Sequence, residues 1–167
     1  MKDIILSYTG ACSVSWNDVI LTFGGVDNMQ GTYKFDPSID QWTFLKLNSP
    51  PLNICNSGCV VLPDNNVLIA GANTEYYTYA VFNVTSSTWV SSGSTQAVLS
   101  YSVPLVMGSR VFIMPKESVT KVMEYVVSNN TFVPADDLVL DRMTFYGAIT
   151  VPAAWFAHLP GGCQGVN

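Results

Sequence analysis

The sequence predicts an all-β protein built from repeated four-stranded antiparallel sheets. Three observations predict it: a hairpin pattern recurring at intervals of 47 and 43 residues, short apolar strands ahead of each hairpin, and no segment with helix caps and helical periodicity. The chain has 167 residues, of which 49% are hydrophobic and only 11% charged. It is therefore long and apolar enough to bury a core, and disorder is excluded.

The recurring hairpin is an aromatic residue, a polar turn and a second aromatic residue. Its copies are Phe35–Trp42, Phe82–Trp89 and Tyr125–Phe132. The Asp, Asn, Ser and Pro residues of the turns bond their own backbone or preset its φ angle. Each copy therefore predicts two strands joined by a tight turn.

Two further strands precede each hairpin. Nearly continuous apolar runs, typical of strands buried on both faces, lie at 19–25, 66–72, 110–116 and 155–161. Short strands joined to them by hairpin-length loops lie at 11–15, 58–62, 102–106 and 148–151. Small residues such as Gly24 and Gly71 end two of the apolar runs, which predicts a positive φ or a close approach of two backbones there.

Each unit thus has four strands, A to D, at 11–15, 19–23, 32–36 and 41–46 in the first unit. Sheets this apolar cannot face water on both sides, so successive sheets must stack face to face like the blades of a β-propeller. The aromatic pairs are expected to fill the outer space between blades. The whole chain, 1–167, is interpreted as one propeller segment, with repeats at about 10–50, 57–96 and 101–140 and a partial unit at 145–167.

These motifs resemble the kelch repeat. The first unit has an apolar strand ending in Gly24 and Gly25, then an aromatic residue, Asp36-Pro37 and Trp42. Residues 58–71, followed by 82–89, resemble the variant found in galactose-oxidase-like propellers. The third unit departs from the pattern, with Pro115-Lys116 in place of the double glycine. The resemblance implies kelch-type blades and a non-catalytic protein-interaction or assembly role, because such propellers mostly serve as rigid platforms.

Three units and two strands of a fourth do not close a ring. An open arc exposes apolar faces and a sheet edge, so we expect further chain or other copies to complete it. The segment Ile4-Ile5-Leu6 either finishes a blade begun upstream or completes one begun by residues 145–159 of a neighbouring copy.

The B-to-C and D-to-A loops, where kelch relatives usually bind partners, carry acidic, amide and aromatic side chains that suit a polar protein surface. The candidate partner-binding residues are Asp27, Asn28, Gln30, Asn73, Glu75, Tyr76, Tyr77 and Glu117. Ordinary solvated loops are the alternative interpretation. Trp16 and Trp155, in A-to-B hairpins, are candidate glycan contacts.

The residue set does not predict catalysis. A galactose-oxidase-like copper site needs two imidazoles, and a triad hydrolase needs a histidine base, but the chain has one histidine, His158. We therefore expect no catalytic residue, no metal and no cofactor. The alternative function is a carbohydrate-binding or galactose-oxidase-like propeller whose catalytic residues lie outside this chain.

Charge and apolar length argue against two classes of partner. Seven Lys and Arg residues and a net charge of −5 give no basic footprint for nucleic acid. The longest apolar stretch, 148–159, is interrupted and too short to span a bilayer.

Cysteines and acceptor motifs bear on the compartment. The spacings of Cys12, Cys55, Cys59 and Cys163 form no paired CxxC motif, so buried free thiols are the favoured interpretation and a disulfide is the alternative. The N-x-T patterns at Asn83 and Asn129 predict N-glycosylation and favour an extracellular protein, with a cytoplasmic one as the alternative. The first seven residues contain no signal-type apolar run.

Overall fold

Twelve strands in three antiparallel sheets make up the described part of the computed structural model, residues 9–72, 77–114 and 122–135. Sheet 1 contains β1 (Cys12–Trp16), β2 (Val19–Phe23), β3 (Thr32–Asp36) and β4 (Gln41–Phe44). Sheet 2 contains β5 (Gly58–Val61), β6 (Asn66–Ala70), β7 (Thr78–Asn83) and β8 (Thr88–Ser94). Sheet 3 contains β9 (Val103–Met107), β10 (Arg110–Met114), β11 (Met123–Val126) and β12 (Thr131–Pro134). The strands of each sheet follow chain order, so the all-β prediction and the four-stranded unit are confirmed for the first three repeats. The partial unit at 145–167 lies outside the described residues.

The three aromatic hairpins occupy equivalent positions in the three sheets. Phe35 pairs with Trp42, Phe82 with Trp89 and Tyr125 with Phe132 across the C and D strands. The ring centroids of the three pairs are 5.0, 5.1 and 5.1 Å apart. This equivalence confirms the repeat that the sequence predicts.

The turns of these hairpins form for local reasons. A residue with positive φ closes each of them: Asp40 at 49°, Ser87 at 55° and Asn130 at 54°. In the first turn, the Asp36 carboxylate accepts hydrogen bonds from the backbone N–H and hydroxyl of Ser38, which lower the pKa of that carboxyl group. In the second, Asn83 Oδ1 accepts a hydrogen bond from the backbone N–H of Ser86, one position further along the turn. These bonds satisfy the turn backbone without a partner from another strand.

Two apolar clusters join the sheets face to face. The first, between sheets 1 and 2, contains Phe23 and Phe82 with ring centroids 5.4 Å apart, and Trp89 packs against it. The second, between sheets 2 and 3, contains Tyr79 and Tyr125 at 5.8 Å, and Phe132 packs against it. The aromatic pairs of sheets 2 and 3 therefore fill the space between sheets, as predicted. The arrangement is propeller-like, with an open arc in the described residues.

The A strands lie innermost, where β5 contacts β1 on one side and β9 on the other. A disulfide joins Cys12 in β1 to Cys59 in β5, with Cα atoms 5.7 Å apart. The expectation of free thiols is therefore wrong for these two residues, because the repeat brings equivalent positions of adjacent blades side by side. It holds for Cys55, which is buried and has no disulfide partner among the described residues; burial raises the pKa of its thiol. Cys163 lies outside the described residues.

Candidate functional site

The B-to-C and D-to-A loops meet at one end of the three sheets, which we call the loop face. Backbone hydrogen bonds tie them together: Val26 N–H donates to Thr9, Gly25 N–H donates to Ile54, and Ile54 N–H donates to Met29, at 2.8–2.9 Å. The loop that follows β2 is therefore fixed to the D-to-A loops before and after sheet 1. A surface held this way presents its side chains without a large ordering cost.

A second set of bonds runs from blade to blade along the loop face. Gly10, Asn56 and Tyr101 each lie just before an A strand, and their φ angles are 76°, 56° and 58°. Asn56 N–H donates to the Gly10 carbonyl and Tyr101 N–H donates to the Asn56 carbonyl, both at 2.7 Å. We call this series the inter-blade ladder. It fixes the position of each A strand relative to the previous one.

The loop face brings together some of the predicted partner-binding residues. Asp27 and Gln30 are exposed in the loop after β2, and Tyr77 is 47% exposed at the start of sheet 2's C strand. Asn28 is half-buried instead: its Nδ2 donates to the Tyr33 hydroxyl at 3.1 Å and its backbone closes the loop. Asn28 therefore stabilises the loop from within, and its side chain is not an exposed partner contact. The remaining predicted residues, Asn73, Glu75, Tyr76 and Glu117, lie outside the described residues.

Sequence reasoning missed Tyr101 as a loop-face residue. Its side chain is 47% exposed, and it lies beside Asn56 through the inter-blade ladder. A signal did exist, because Tyr101 stands 45 residues after Asn56, in register with the repeat. Residue type argues against this placement, because a bulky residue rarely takes a positive φ.

A groove of about 380 Å³ opens between sheets 2 and 3 near their outer strands. Its lining combines aromatic rings with hydroxyl and amide groups, including Tyr79, Thr95, Gln96, Thr131 and Phe132. The Tyr79 hydroxyl donates to the Asn130 carbonyl at 2.5 Å, and burial raises its pKa. Burial raises the pKa of Tyr125 more strongly, so both phenols are neutral donors at physiological pH.

Of the two tryptophans considered as glycan contacts, only Trp16 lies in the described part of the chain. Trp16 is half-buried and packs against the apolar cluster between sheets 1 and 2, so it is less accessible than its place near a hairpin predicts. Its contact with a glycan stays a prediction. Trp155 lies outside the described residues.

The two N-x-T asparagines differ in exposure and in hydrogen bonding. Asn83 is half-buried; its Nδ2 donates to Asn66 Oδ1 at 2.9 Å, and its Oδ1 accepts from Ser86. Asn129 is exposed in the last hairpin turn, where its Oδ1 accepts the Thr131 hydroxyl hydrogen at 2.6 Å. A folded chain therefore accommodates a glycan on Asn129 more easily than on Asn83.

Expression through a secretory pathway is expected to give one N-glycan, at Asn129. A glycan on Nδ2 of Asn83 would crowd the bond to Asn66, whereas Asn129 is exposed in its turn. Intact-protein mass spectrometry before and after glycosidase treatment measures occupancy, and Asn129→Gln should remove the mass increment while Asn83→Gln leaves it. Occupancy at Asn83 alone would contradict the prediction.

The back of sheet 1, the face that points away from sheet 2, is open. Phe44 is 54% exposed and Ile20 is 39% exposed there. They lie among Tyr33, Phe35 and Trp42 on the same face, because all five follow the alternation of paired positions across β2, β3 and β4. None of the described residues forms a sheet that covers this face. We call it the open face.

Comparison with known proteins supports the fold. No protein-family model matches the chain, and no curated protein matches it. A solved structure, described as that of YjhT, is similar over 75% of this chain with a TM-score of 0.59 and 11% identity. The chain spans about half the length of that structure, covering 51% of it. In the described residues, no helix has the length and apolar character needed to cross a membrane. At this identity, the likeness shows a shared β fold.

Proposed function

We propose that this chain is a segment of a kelch-type propeller that acts as a non-catalytic protein-binding and assembly module, completed by further chain or by other copies. The observation that carries this proposal is the loop face. Its backbone is cross-linked by hydrogen bonds between blades, and it presents exposed acidic, amide and aromatic side chains at Asp27, Gln30, Tyr77 and Tyr101. Exposed tyrosines on a rigid frame are typical of protein-binding surfaces.

An extracellular location is part of the proposal. Disulfides persist in oxidising compartments and are rare in the cytosol, so the Cys12–Cys59 bond supports secretion. The exposed acceptor motif at Asn129 supports it as well.

Site-specific photo-crosslinking tests the proposed binding role. A benzoylphenylalanine in place of Gln30 should yield discrete covalent protein adducts in material from the protein's source. The matched control is the same group at Asp18, exposed in the turn between β1 and β2 at the opposite end of sheet 1. The adducts should be identified by mass spectrometry and suppressed by excess native chain, but not by excess Asp27→Lys/Tyr101→Ala chain. Equal labelling from both positions, or none from Gln30, overturns the loop face as the binding surface.

Carbohydrate binding is the second candidate, and the groove between sheets 2 and 3 favours it. Aromatic faces beside hydroxyl and amide groups suit the apolar and polar sides of a sugar ring. Titration with a panel of oligosaccharides, followed by amide NMR shifts, should then perturb Thr95 and Thr131 and spare the loop face. A chain that binds no sugar in this assay excludes the candidate.

A further inference from the structure

Strand β8 forms the outer edge of sheet 2, and it lacks the features that close the outer edges of the other two sheets. β8 has seven residues, Thr88–Ser94, whereas β4 and β12 have four each. Pro134 ends β12 and has no N–H, and the exposed Lys46 follows β4. β8 contains neither a charge nor a proline. Because short strands, lysine and proline prevent pairing at sheet edges, β8 is the edge that remains open to a further strand.

The backbone of β8 directs its free groups outward at alternate residues. Thr95 N–H donates to the Tyr77 carbonyl at 2.8 Å, so these two opposite residues form a hydrogen-bonded pair. The carbonyl of the next residue, Thr78, bonds instead on the β6 side of the sheet. Because hydrogen-bonded and non-bonded pairs alternate in an antiparallel ladder, Ser94 and Ser92 point their N–H and carbonyl groups away from β7. Both serines are exposed, and no described strand pairs with them on that side.

The regular part of this edge runs beside the groove between sheets 2 and 3. The register shift in the β7–β8 ladder lies nearer the hairpin turn, so the pairs formed by 91–94 are regular. Ser94 and Thr95 line the groove as well. Gly93 pairs with Tyr79, and a Cβ on Gly93 would lie 2.8 Å from the Tyr79 hydroxyl oxygen, so the absence of a side chain there makes room for the ring. None of the described residues that line the groove is charged.

We propose that the edge of β8 and the adjoining groove bind an extended, uncharged segment of a partner protein, which adds a strand to sheet 2. The backbone of such a segment would pair with Ser92 and Ser94, and its alternate side chains would enter the groove. Tyr79, Met123 and Phe132 in the lining favour apolar or aromatic side chains there. A sugar, the ligand of the second candidate function, would fill the groove but leave the backbone groups of the edge unpaired. The proposal goes beyond the loop face, because it concerns a different surface and a different mode of binding.

Selection from a phage-displayed library of random peptides tests the proposal. The library is first depleted on a Ser92→Pro chain and then selected on the native chain. Ser92 N–H makes no bond to β7, so proline removes a donor from the edge alone, and edge positions of this kind tolerate proline. We expect the selected peptides to carry apolar residues at alternate positions. A synthetic peptide of the selected sequence should bind the Ser92→Pro chain about 10-fold more weakly than the native chain, because one backbone hydrogen bond is lost and the ring obstructs the edge.

Ser92→Ala is the matched control, because it removes the side chain and keeps the N–H. This variant should bind the peptide as the native chain does, and near-ultraviolet circular dichroism should show that both variants keep their aromatic packing. Amide hydrogen exchange of the native chain supplies a test that needs no variant. With the peptide bound, the amides of Ser92 and Ser94 should exchange about 10-fold more slowly or slower still, while those of Asp27 and Gln30 on the loop face stay unchanged.

Four outcomes overturn the proposal. No peptide survives the depletion; Ser92→Ala weakens binding as much as Ser92→Pro; the bound peptide leaves the Ser92 and Ser94 amides exchanging freely; or light scattering shows that the native chain pairs with itself and that Ser92→Pro abolishes the pair, which makes a second copy the occupant. Crosslinking from Gln30 can succeed in each of these cases, so failure of the edge site and failure of the loop face are distinguishable.

Discussion

Replacing Cys12 and Cys59 together with alanine is expected to lower the free energy of unfolding by about 4 kcal/mol. The disulfide closes a loop with a sequence separation of 47 residues, and a cross-link of that span removes about 4 kcal/mol of chain entropy from the unfolded state. It also joins the A strands of sheets 1 and 2, so the loss should loosen the first blade from the second. Equilibrium urea unfolding followed by tryptophan fluorescence measures the change.

Reductant and a third cysteine supply the controls. The native chain should lose a similar amount of stability when dithiothreitol is added, and the double variant should be unaffected by it. Cys55→Ala should keep the full response to reductant, because Cys55 is buried but not disulfide-bonded to any described residue. A native unfolding transition that does not move with dithiothreitol would show that Cys12 and Cys59 do not stabilise the chain as a pair.

Much of the fold could be predicted because the repeat gives the same information three times. The hairpin at Phe82 and Trp89 is weak evidence alone, but its recurrence in register fixes both the strand pairing and the stacking. The B-strand glycines were predictable for the same reason: Gly24 and Gly71 stand at one register position, and both have positive φ, 68° and 89°. Periodic local patterns carry this kind of information well.

Contacts between blades could not be predicted in the same way. The 47-residue separation of Cys12 and Cys59 matches the repeat, so they hold equivalent positions in the sequence repeat, but it does not show how close two adjacent A strands bring those positions. Trp16 looked accessible from its place near a hairpin, yet it packs into the cluster between sheets 1 and 2. Asn28 and Gln30 look alike in sequence, and only the loop's bonds separate the structural residue from the exposed one. Such distinctions depend on three-dimensional neighbours rather than on residue type.

Gly24→Ala is expected to destabilise the chain by about 3 kcal/mol or more, through both backbone and packing. A left-handed φ costs a non-glycine residue about 1–2 kcal/mol, and overpacking a close contact adds about 1–3 kcal/mol. A Cβ at Gly24 would overlap the Ile54 carbonyl oxygen and lie 2.6 Å from Ile54 Cβ. Ile54 belongs to the D-to-A loop whose bonds fix the loop face, so it cannot yield without breaking them. Thermal and urea unfolding of the variant measure the loss.

Gly108→Ala separates the two causes. Gly108 has a φ of 64°, close to the 68° of Gly24, but a Cβ built there meets nothing within 4 Å. Its cost should therefore be the backbone cost of about 1–2 kcal/mol. The Gly24 variant should lose more stability than the Gly108 variant. Of these two glycines, only Gly24 lies where the backbone of sheet 1 touches the loop that leads into sheet 2. Equal losses at the two positions would mean that this contact yields freely, and the loop face would then lack the rigidity on which its proposed binding role depends.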